Sequence, residues 1–142
     1  MIEWDISDDE IEATERLLLP NGAHFPEDAR KVILCWHSSD VSACPGSGKT
    51  TVLLAKLKLL ADRMPFDDNS GICVLSHTNV AVDEIRKRLS CYEDKLHSYP
   101  NFIGTIQSFI DKFVTIHISG NLLGIVYRLL MILPMQIICY KK

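Results

Sequence analysis

The residues best suited to chemistry form a glycine-rich run, ACPGSGKT, at residues 43–50. Gly46 and Gly48 permit backbone angles that a β-carbon disfavours, so successive N–H groups can converge on phosphate oxygens. Lys49 supplies a positive charge for the β- and γ-phosphates, and Thr50 offers a hydroxyl group to Mg²⁺. From Gly46 onward the run matches the general phosphate-binding loop, with Ala43 where the stricter pattern has glycine. The spacing therefore predicts binding of a nucleotide phosphate.

Two other interpretations apply to parts of this loop. A glycine-rich turn can simply connect two elements, but an apolar strand end before the loop and an amphipathic helix after it favour phosphate binding. Cys44 lies next to groups that lower a thiol pKa, namely Lys49 and the start of the helix. We prefer to interpret Cys44 as a small residue that fills space.

The segments around the loop alternate between strand and helix patterns. Strands are predicted at 41–43, 72–75 and 102–103; helices at 51–62, from Thr78 or Asn79 to residue 89, and at 107–114; and loops at 64–71 and 90–101. The strands are short and apolar, whereas the helices place apolar residues on one face. This alternation is typical of an α/β protein with a parallel sheet.

Two shorter elements precede the loop. Ser7 and Glu10 have the spacing of a capping box, which predicts a helix from about residue 8 to residue 19. A second helical segment begins at Phe25-Pro26. Residues 1–15 contain seven acids and no Lys or Arg, which leaves eleven acids against fifteen bases, a net charge of +4, in residues 16–142. A basic body is compatible with a polyanionic ligand, although a solvated helix explains the acidic segment.

An acidic pair at Asp83-Glu84 follows an apolar run, as a magnesium-binding acid does in nucleotide hydrolases. We interpret this run as part of a helix, because Val82, Ile85 and Leu89 continue the helical period beyond the acids. In that interpretation the two carboxylates lie in the first helical turn, where the helix dipole favours them.

Three blocks in order resemble the start of a UvrD-like superfamily 1 DNA helicase. They are ACPGSGKTT at 43–51, VLSHTNVAVDEIRKRL at 74–89 and IGTIQSF at 103–109, which are similar to the phosphate loop, motif Ia and motif Ib of that family. The resemblance covers about residues 25–115. It implies an incomplete P-loop NTPase of the RecA-like type, an α/β fold with a parallel sheet flanked by helices. It also implies an ATP-driven enzyme that moves along single-stranded DNA.

The resemblance assigns roles to individual residues of this chain. ATP would contact the nine loop residues, which are Ala43, Cys44, Pro45, Gly46, Ser47, Gly48, Lys49, Thr50 and Thr51. Lys49 and Thr50 would take part in catalysis, and Thr50 would bind Mg²⁺. Single-stranded DNA would contact Thr78, Asn79, Thr105, Ser108 and Phe109. Hydroxyl and amide groups suit phosphates and an aromatic ring suits a base, although each of these residues also suits a helix cap or a core position.

The sequence departs from the family pattern at three places. The family's adenine-reading glutamine has no match, and Glu27 and Asp28 stand in that region. Gln107 occupies the position of the motif Ib histidine. The acid pair of the second nucleotide motif and the arginines of the second RecA-like domain are missing from these 142 residues. We therefore expect this chain to bind ATP but to hydrolyse it poorly.

Residues 116–142 differ in composition from the rest of the chain. Arg128 is the only formally charged residue between Ile116 and Tyr140. Residues 122–140 approach the length of a membrane span, but Arg128, Gly124 and Pro134 leave insertion marginal, so no membrane association is expected. We expect the chain to depart from its family near residue 116. The predicted organisation is an acidic segment at 1–24, a partial helicase domain at 25–115 and an apolar tail at 116–142.

Two alternative functions remain open on the sequence. One is another P-loop ATPase or a small kinase, with Asp83 or Glu84 as the metal-binding acid. The other is a non-catalytic fragment anchored by its tail. The five cysteines have no paired close spacing and the chain opens without a secretory signal, which together predict a reducing, cytoplasmic location.

Overall fold

The computed structural model describes residues 4–37, 39–42, 44, 46–67, 70–114 and 136–140, with side chains at 113–114 and 136–140 left out. The chain divides into two compact units, Met1–Arg63 and Met64–Lys142. The described part of the first unit is helical, and the described part of the second unit contains a three-stranded sheet with short helices. At the coarse level the α/β prediction is confirmed, because two strands of the sheet are parallel and helices alternate with them.

The first unit consists of helices α1 (Asp8–Leu18), α2 (Glu27–Leu34) and α3 (Lys49–Asp62). The predicted capping box begins α1: Ser7 accepts from the Glu10 N–H, and the Glu10 carboxylate accepts from the Ser7 N–H at 2.9 Å. Both α1 and α2 pack against α3. The helix α3 is buried on most of its surface, and Leu54, Leu57 and Leu59 have no exposed area. The core of this unit therefore forms around the helix that follows the glycine-rich loop.

One element predicted for this unit is wrong. Val41 and Ser42 are not in a strand, and Ala43 lies outside the described residues. Val41 is 48% exposed. A strand needs a hydrogen-bonded neighbour, and a short apolar run alone does not supply one. The helix after the loop begins at Lys49, two residues earlier than predicted.

The second unit is built around strand β1 (Gly71–Ser76), which lies between β2 (Phe102–Thr105) and β3 (Gln136–Tyr140). The pairing with β2 is parallel and the pairing with β3 is antiparallel. Helix α4 (Asn79–Arg88) follows β1, and α6 (Ile106–Phe109) with the π-helical turn Ile110–Val114 follows β2. The strand predictions at 72–75 and 102–103 and the helix prediction at 78–89 are confirmed. The helix predicted at 107–114 is also present, but it divides into these two forms.

Residues 90–101 differ from the predicted loop. They contain a 3₁₀ turn, Ser90–Tyr92, and a short helix, α5 (Glu93–His97). Leu96 is only 1% exposed, so one apolar side chain anchors an otherwise polar segment. Asn101 ends this segment with a buried amide that accepts from the Ile72 N–H at 2.8 Å and donates to the Lys95 carbonyl at 2.7 Å. The segment is ordered by these few tertiary contacts, which its polar composition did not reveal.

The apolar tail is described only at its end. Residues 136–140, the last five of the apolar segment 122–140, form strand β3. Residues 116–135, the remainder of the predicted tail segment, lie outside the described part. Within the described residues, no helix has both the length and the apolar character needed to cross a membrane.

Candidate functional site

The glycine-rich loop turns sharply before helix α3. Gly46 and Gly48 have φ angles of +82° and +86°, the left-handed region that only glycine adopts freely. The Ser47 N–H donates to the Cys44 carbonyl at 3.2 Å, which closes the turn. Cys44, Ser47 and both glycines are exposed, while Ala43 and Pro45 lie outside the described residues. The described part of the loop therefore exposes the backbone at both glycines, beside the small side chains of Cys44 and Ser47.

Helix α3 begins without a side-chain cap. Gly48 is the N-cap residue, and among the described residues no side chain accepts a hydrogen bond from the first N–H groups of the helix. A β-carbon built on Gly46 or Gly48 would meet no other atom within 4 Å, so the space beside both residues is open. The first N–H groups of a helix lack partners within the helix, and the helix dipole adds positive potential there. This geometry is that of an anion-binding helix terminus.

Lys49 is the first residue of α3 and is exposed. Its Nζ donates to the Cys44 carbonyl at 2.9 Å, so the side chain folds back across the loop that precedes it. Thr50 and Thr51 follow in the first turn and are half-buried. The ammonium group, the hydroxyl groups and the helix N-terminus are therefore clustered within one short stretch of chain.

A second cluster in the same unit was missed by the sequence analysis. The Lys56 Nζ donates to the Cys35 carbonyl and lies 5.1 Å from the centre of the Trp36 ring. Trp4 packs against Trp36 with ring centres 5.9 Å apart, and the buried Trp36 Nε1 has no hydrogen-bond partner among the described residues. This cluster fastens the chain upstream of the loop onto α3. The spacing of two tryptophans and a lysine across 52 positions gave no local signal of it.

The predicted DNA-contacting residues lie at one edge of the sheet in the second unit. Strands β1 and β2 are parallel, and their last residues, Ser76 and Thr105, are paired in register. Thr78 and Asn79 follow β1, whereas Ser108 lies in the helix after β2. Because the carboxyl ends of parallel strands meet at one edge, the structure brings Thr78, Asn79, Thr105 and Ser108 to the same end of the sheet. The phosphate-loop residues belong to the other unit.

The two threonines at this edge both cap helices. The Thr78 hydroxyl accepts from the Ala81 N–H at 3.5 Å, and the Thr105 hydroxyl accepts from the Ser108 N–H at 3.2 Å. Thr105 also donates to the Ser108 Oγ at 3.1 Å, and Ser108 donates back to the Thr105 carbonyl at 2.9 Å. Thr78, Asn79 and Ser108 are exposed. Thr78 and Thr105 therefore act as helix caps. Thr78, Asn79 and Ser108 are also accessible to a ligand.

Gly104 is a residue of this edge that the sequence analysis did not single out. A β-carbon at Gly104 would lie 2.7 Å from the Phe102 ring and 2.9 Å from the Ser108 Oγ. Any side chain there would displace the hydroxyl group that pairs with Thr105. The signal was available, since Gly104 stands directly before Thr105 in the IGTIQSF block, but only the tertiary contact explains it.

Phe109 is half-buried and packs edge-to-face against Phe102, with ring centres 5.4 Å apart. The Lys112 Nζ lies 5.5 Å from the centre of the Phe102 ring. Part of the Phe109 ring is therefore engaged within the protein. This contact matches the core role that the sequence left open for Phe109.

The acidic pair lies in helix α4, so the helical interpretation is confirmed. The position within the helix was wrong: α4 begins at Asn79, which puts Asp83 and Glu84 in its second turn. Asp83 pairs with Arg86 at 3.6 Å and Glu84 with Arg88 at 3.9 Å. Across the described stretches of the chain, no group of three or more His, Cys, Asp or Glu residues could hold a metal ion.

Comparison with known proteins adds one finding to this geometry. The family model of the UvrD/REP helicase N-terminal domain matches residues 27–122, about two thirds of the chain. The matched range contains the glycine-rich loop and the whole sheet edge described above. No curated protein and no solved structure matches the chain.

Proposed function

The chain belongs to the UvrD/REP helicase N-terminal domain family, and from that premise we propose that it binds ATP with Mg²⁺ and single-stranded DNA. In this proposal it acts as the N-terminal, partly RecA-like portion of an ATP-dependent DNA helicase. The phosphate loop at 43–51 holds the nucleotide, and the edge formed by the ends of β1 and β2 holds the DNA. The observation that carries the proposal is the pair of left-handed glycines at an uncapped helix N-terminus.

The nucleotide part rests on three features of the loop. The uncapped N–H groups of α3 offer hydrogen bonds to phosphate oxygens. The open space at Gly46 and Gly48 leaves room for those oxygens close to the backbone. Lys49 uses the Cys44 carbonyl as its acceptor in the structure. We expect phosphate oxygens to replace that carbonyl, because a negatively charged oxygen attracts the ammonium group more strongly than a neutral carbonyl oxygen does.

Mg²⁺ would be held by the Thr50 hydroxyl together with the phosphates. Magnesium keeps several waters and is bound through substrate phosphates with few protein ligands. Thr50 lies in the first turn of α3, immediately after Lys49. The ion would neutralise charge on the phosphates that these two residues bring together.

We propose that hydrolysis by this chain is slow. An effective site needs an acid for Mg²⁺ and a residue that orients the attacking water. Asp83 and Glu84 are the acids that follow the motif Ia strand, but they lie in a helix and pair with Arg86 and Arg88. The same ion pairs argue against the small-kinase alternative, in which one of these carboxylates would bind the metal. Turnover that disappears in Asp83→Asn would reverse this preference.

The DNA part is supported by the exposed groups at the sheet edge. The Asn79 amide and the Ser108 hydroxyl are accessible and lie near two helix N-termini. Groups of this kind contact nucleic-acid phosphates and carry no sequence information. Phe109 would offer a ring for base stacking only through the surface that Phe102 leaves uncovered. Binding without sequence preference is therefore expected.

The nucleotide proposal is tested with Lys49→Ala and a fluorescent ATP analogue in the presence of Mg²⁺. We expect at least a roughly 100-fold loss of affinity, since the ammonium group makes charge-assisted bonds in a partly dehydrated site. Lys31→Ala is the matched control, because Lys31 is an exposed lysine of the same unit that pairs with Glu27. Equal affinity of both variants would remove the phosphate-loop assignment.

The DNA proposal is tested by fluorescence anisotropy with a labelled single-stranded oligonucleotide. Asn79→Ala and Ser108→Ala should each weaken binding by about threefold to tenfold, the range for one hydrogen bond. Asn21→Ala is the control, because Asn21 is an exposed turn residue of the other unit. Binding should also weaken as salt rises, since phosphate contacts release counterions. Unchanged affinity in both edge variants would place the DNA elsewhere.

A further inference from the structure

Strand β1 is hydrogen-bonded along both edges, but its two neighbours come from different parts of the chain. On one side β2 pairs with Cys73, Val74, Leu75 and Ser76. On the other side β3, Gln136–Tyr140, pairs antiparallel with five of the six residues of β1, from Gly71 to Leu75. The family model ends at residue 122, so β3 lies outside the matched range. A strand from outside the family region therefore fills one edge of a strand from within it.

The direction in which each β1 backbone group points can be fixed from a single hydrogen bond. The Ile72 N–H donates to the Asn101 side chain, and Asn101 directly precedes β2. The backbone N–H and C=O groups of Ile72 therefore point toward β2. Successive residues of a strand point these groups to alternate sides, so the N–H and C=O groups of Cys73 and Leu75 point toward β3. Because Cys73 pairs with Ile138, the N–H of Ile138 points at β1, whereas that of Ile137 points away from it.

The residues of β1 show that this edge needs a partner. Ile72 and Val74 are each 1% exposed and Leu75 is 6% exposed, so side chains on both faces of the strand are buried. Burial on both faces is typical of an interior strand of an α/β sheet. An interior strand with one open edge would expose unpaired N–H and C=O groups next to apolar side chains, which invites pairing with another chain.

We propose that the second edge of β1, which the tail strand occupies in the structure, is a strand-acceptor site that also accepts a separate strand of the same sequence. The occupant is an antiparallel strand with the sequence QIICY, held by backbone hydrogen bonds from Gly71, Cys73 and Leu75. When the tail strand is prevented from pairing, the same site binds a separate strand of that sequence. This inference is independent of ATP and DNA binding, because it concerns the side of β1 that faces β3 and not the carboxyl ends of β1 and β2, where the proposed DNA contacts lie.

Residue-resolved hydrogen exchange of the unmodified chain gives the first test. The amides of Cys73 and Leu75 should be protected to a similar degree as those of Ile72 and Val74, because both sets lie within hydrogen-bonded ladders. Exchange at Cys73 and Leu75 that is about 100-fold faster than at Ile72 and Val74 would mean that the edge is open, and would overturn the proposal.

Two proline variants provide a matched pair for the second test. Ile138→Pro removes an N–H that points at β1, whereas Ile137→Pro removes one that points away, a position that an edge strand tolerates. We expect exchange at Cys73 and Leu75 to rise at least about tenfold in Ile138→Pro, with Ile72 and Val74 unchanged, and to stay near the original rate in Ile137→Pro. Equal behaviour of the two variants would contradict the assignment.

The acceptor property is tested by adding the strand separately. A synthetic peptide of residues 136–142, kept reduced, is mixed with the Ile138→Pro chain. Protection at Cys73 and Leu75 should return with the native peptide and not with a peptide that carries proline at the position of Ile138. If the native peptide restores nothing, the edge is no acceptor site. Should Ile138→Pro fail to fold, the native peptide is added in excess to the unmodified chain in its isotopically labelled form, and bound peptide whose own amides gain protection supports the acceptor site, whereas a peptide that stays unprotected contradicts it.

Discussion

Glycines in the two units of the chain serve opposite purposes. In the first unit, Gly46 and Gly48 have left-handed backbone angles, and the space around them is open. In the second unit, Gly71 and Gly104 have no such angles, but a β-carbon on either would lie 2.7 Å from a neighbouring atom. The phosphate loop therefore depends on the torsion angles of its glycines, whereas the sheet depends on glycines at positions that leave no room for a β-carbon.

This contrast explains why the two candidate sites differ in how they can be recognised. A loop that needs particular torsion angles selects glycine at fixed spacing, and that spacing is visible in the sequence. A close approach between strands selects glycine where some other segment happens to pass. At Gly71 that segment is the backbone of Pro100, 29 positions away.

Asn101→Ala should destabilise the second unit by about 3 kcal/mol in the free energy of unfolding. The variant leaves the buried Ile72 N–H without its acceptor, at a cost of about 1–3 kcal/mol, and removes one of the two hydrogen bonds to the Lys95 carbonyl, to which the Ser98 hydroxyl also donates, at about 0.5–1.5 kcal/mol. Urea unfolding followed by far-ultraviolet circular dichroism measures the loss. Asn21→Ala, an exposed turn residue, should change the value by less than about 0.5 kcal/mol. A loss below about 1 kcal/mol for Asn101→Ala would show that residues 90–101 are held by their own helix propensity and not by the Asn101 hydrogen bonds.

Gly71→Ala and Gly48→Ala separate the two uses of glycine. Gly71→Ala should cost about 2 kcal/mol, because its β-carbon would meet the Pro100 backbone, which cannot move aside easily. Gly48→Ala should cost only about 1 kcal/mol, the penalty for a left-handed alanine.

Spectroscopy and ligand binding distinguish these two variants further. Both tryptophans, Trp4 and Trp36, lie in the first unit, so tryptophan fluorescence follows that unit and should shift for Gly48→Ala only. Gly48→Ala should also weaken binding of the ATP analogue at least about tenfold, because the added methyl group enters the proposed phosphate space. Gly71→Ala should leave that binding unchanged. The contrast is wrong if both variants lose stability equally and bind equally well.

Glu15→Gln should reduce the stability of the first unit by about 1 kcal/mol at neutral pH. The Glu15 carboxylate is 5% exposed, accepts from the Phe25 N–H at 2.8 Å and pairs with His24 at 2.7 Å. Burial disfavours its ionised form, but the contacts with His24 and Phe25 outweigh burial and hold its pKa below the ordinary value of 4.5.

The same carboxylate predicts a pH dependence. Because its pKa is lower in the folded chain, Glu15 stabilises the fold fully above about pH 4.5, and this contribution is lost as the pH falls through the folded pKa. Tryptophan-monitored unfolding between neutral and acidic pH should therefore show a smaller acid destabilisation in Glu15→Gln than in the unmodified chain. Identical pH profiles would contradict this role.

Arg30→Ala should change stability least, by less than about 0.5 kcal/mol. Arg30 pairs with Asp8 at 2.9 Å, but the Asp8 side chain is 93% exposed, so water and salt screen the pair. Thermal unfolding at low and high salt measures the effect. A loss above about 1 kcal/mol would mean that a surface contact between α1 and α2 contributes as much as the buried Glu15 contacts.

The sequence predicted elements well where the pattern is local and poorly where it is not. The capping box at Ser7 and the cap at Thr78 were recognisable because both partners lie within one turn. The strand expected at 41–43 is not formed at its described residues, since an apolar run cannot show whether a neighbouring strand is available. The α5 helix was missed because its main anchor, Leu96, is one apolar residue in a polar segment.

For the candidate sites, the same division applies to individual residues. Gly46, Gly48, Lys49 and Thr50 were identified from spacing alone, because the phosphate loop is a continuous segment. Their roles in binding ATP and Mg²⁺ remain predictions. Trp36 and Lys56 could not be identified, because they are 20 positions apart in the sequence.

The amino-acid sequence alone is enough to recognise the family and to locate the phosphate loop and the helix caps. The loop and the caps are visible in the sequence because their torsion angles and hydrogen bonds involve residues only a few positions apart. The tertiary structure decided that the ends of β1 and β2 form one edge, that Asn101 anchors Ile72 and that the tail strand pairs with β1. Those features depend on which distant segments meet, and the choice of partner depends on burial and on the backbone hydrogen bonds that remain to be satisfied.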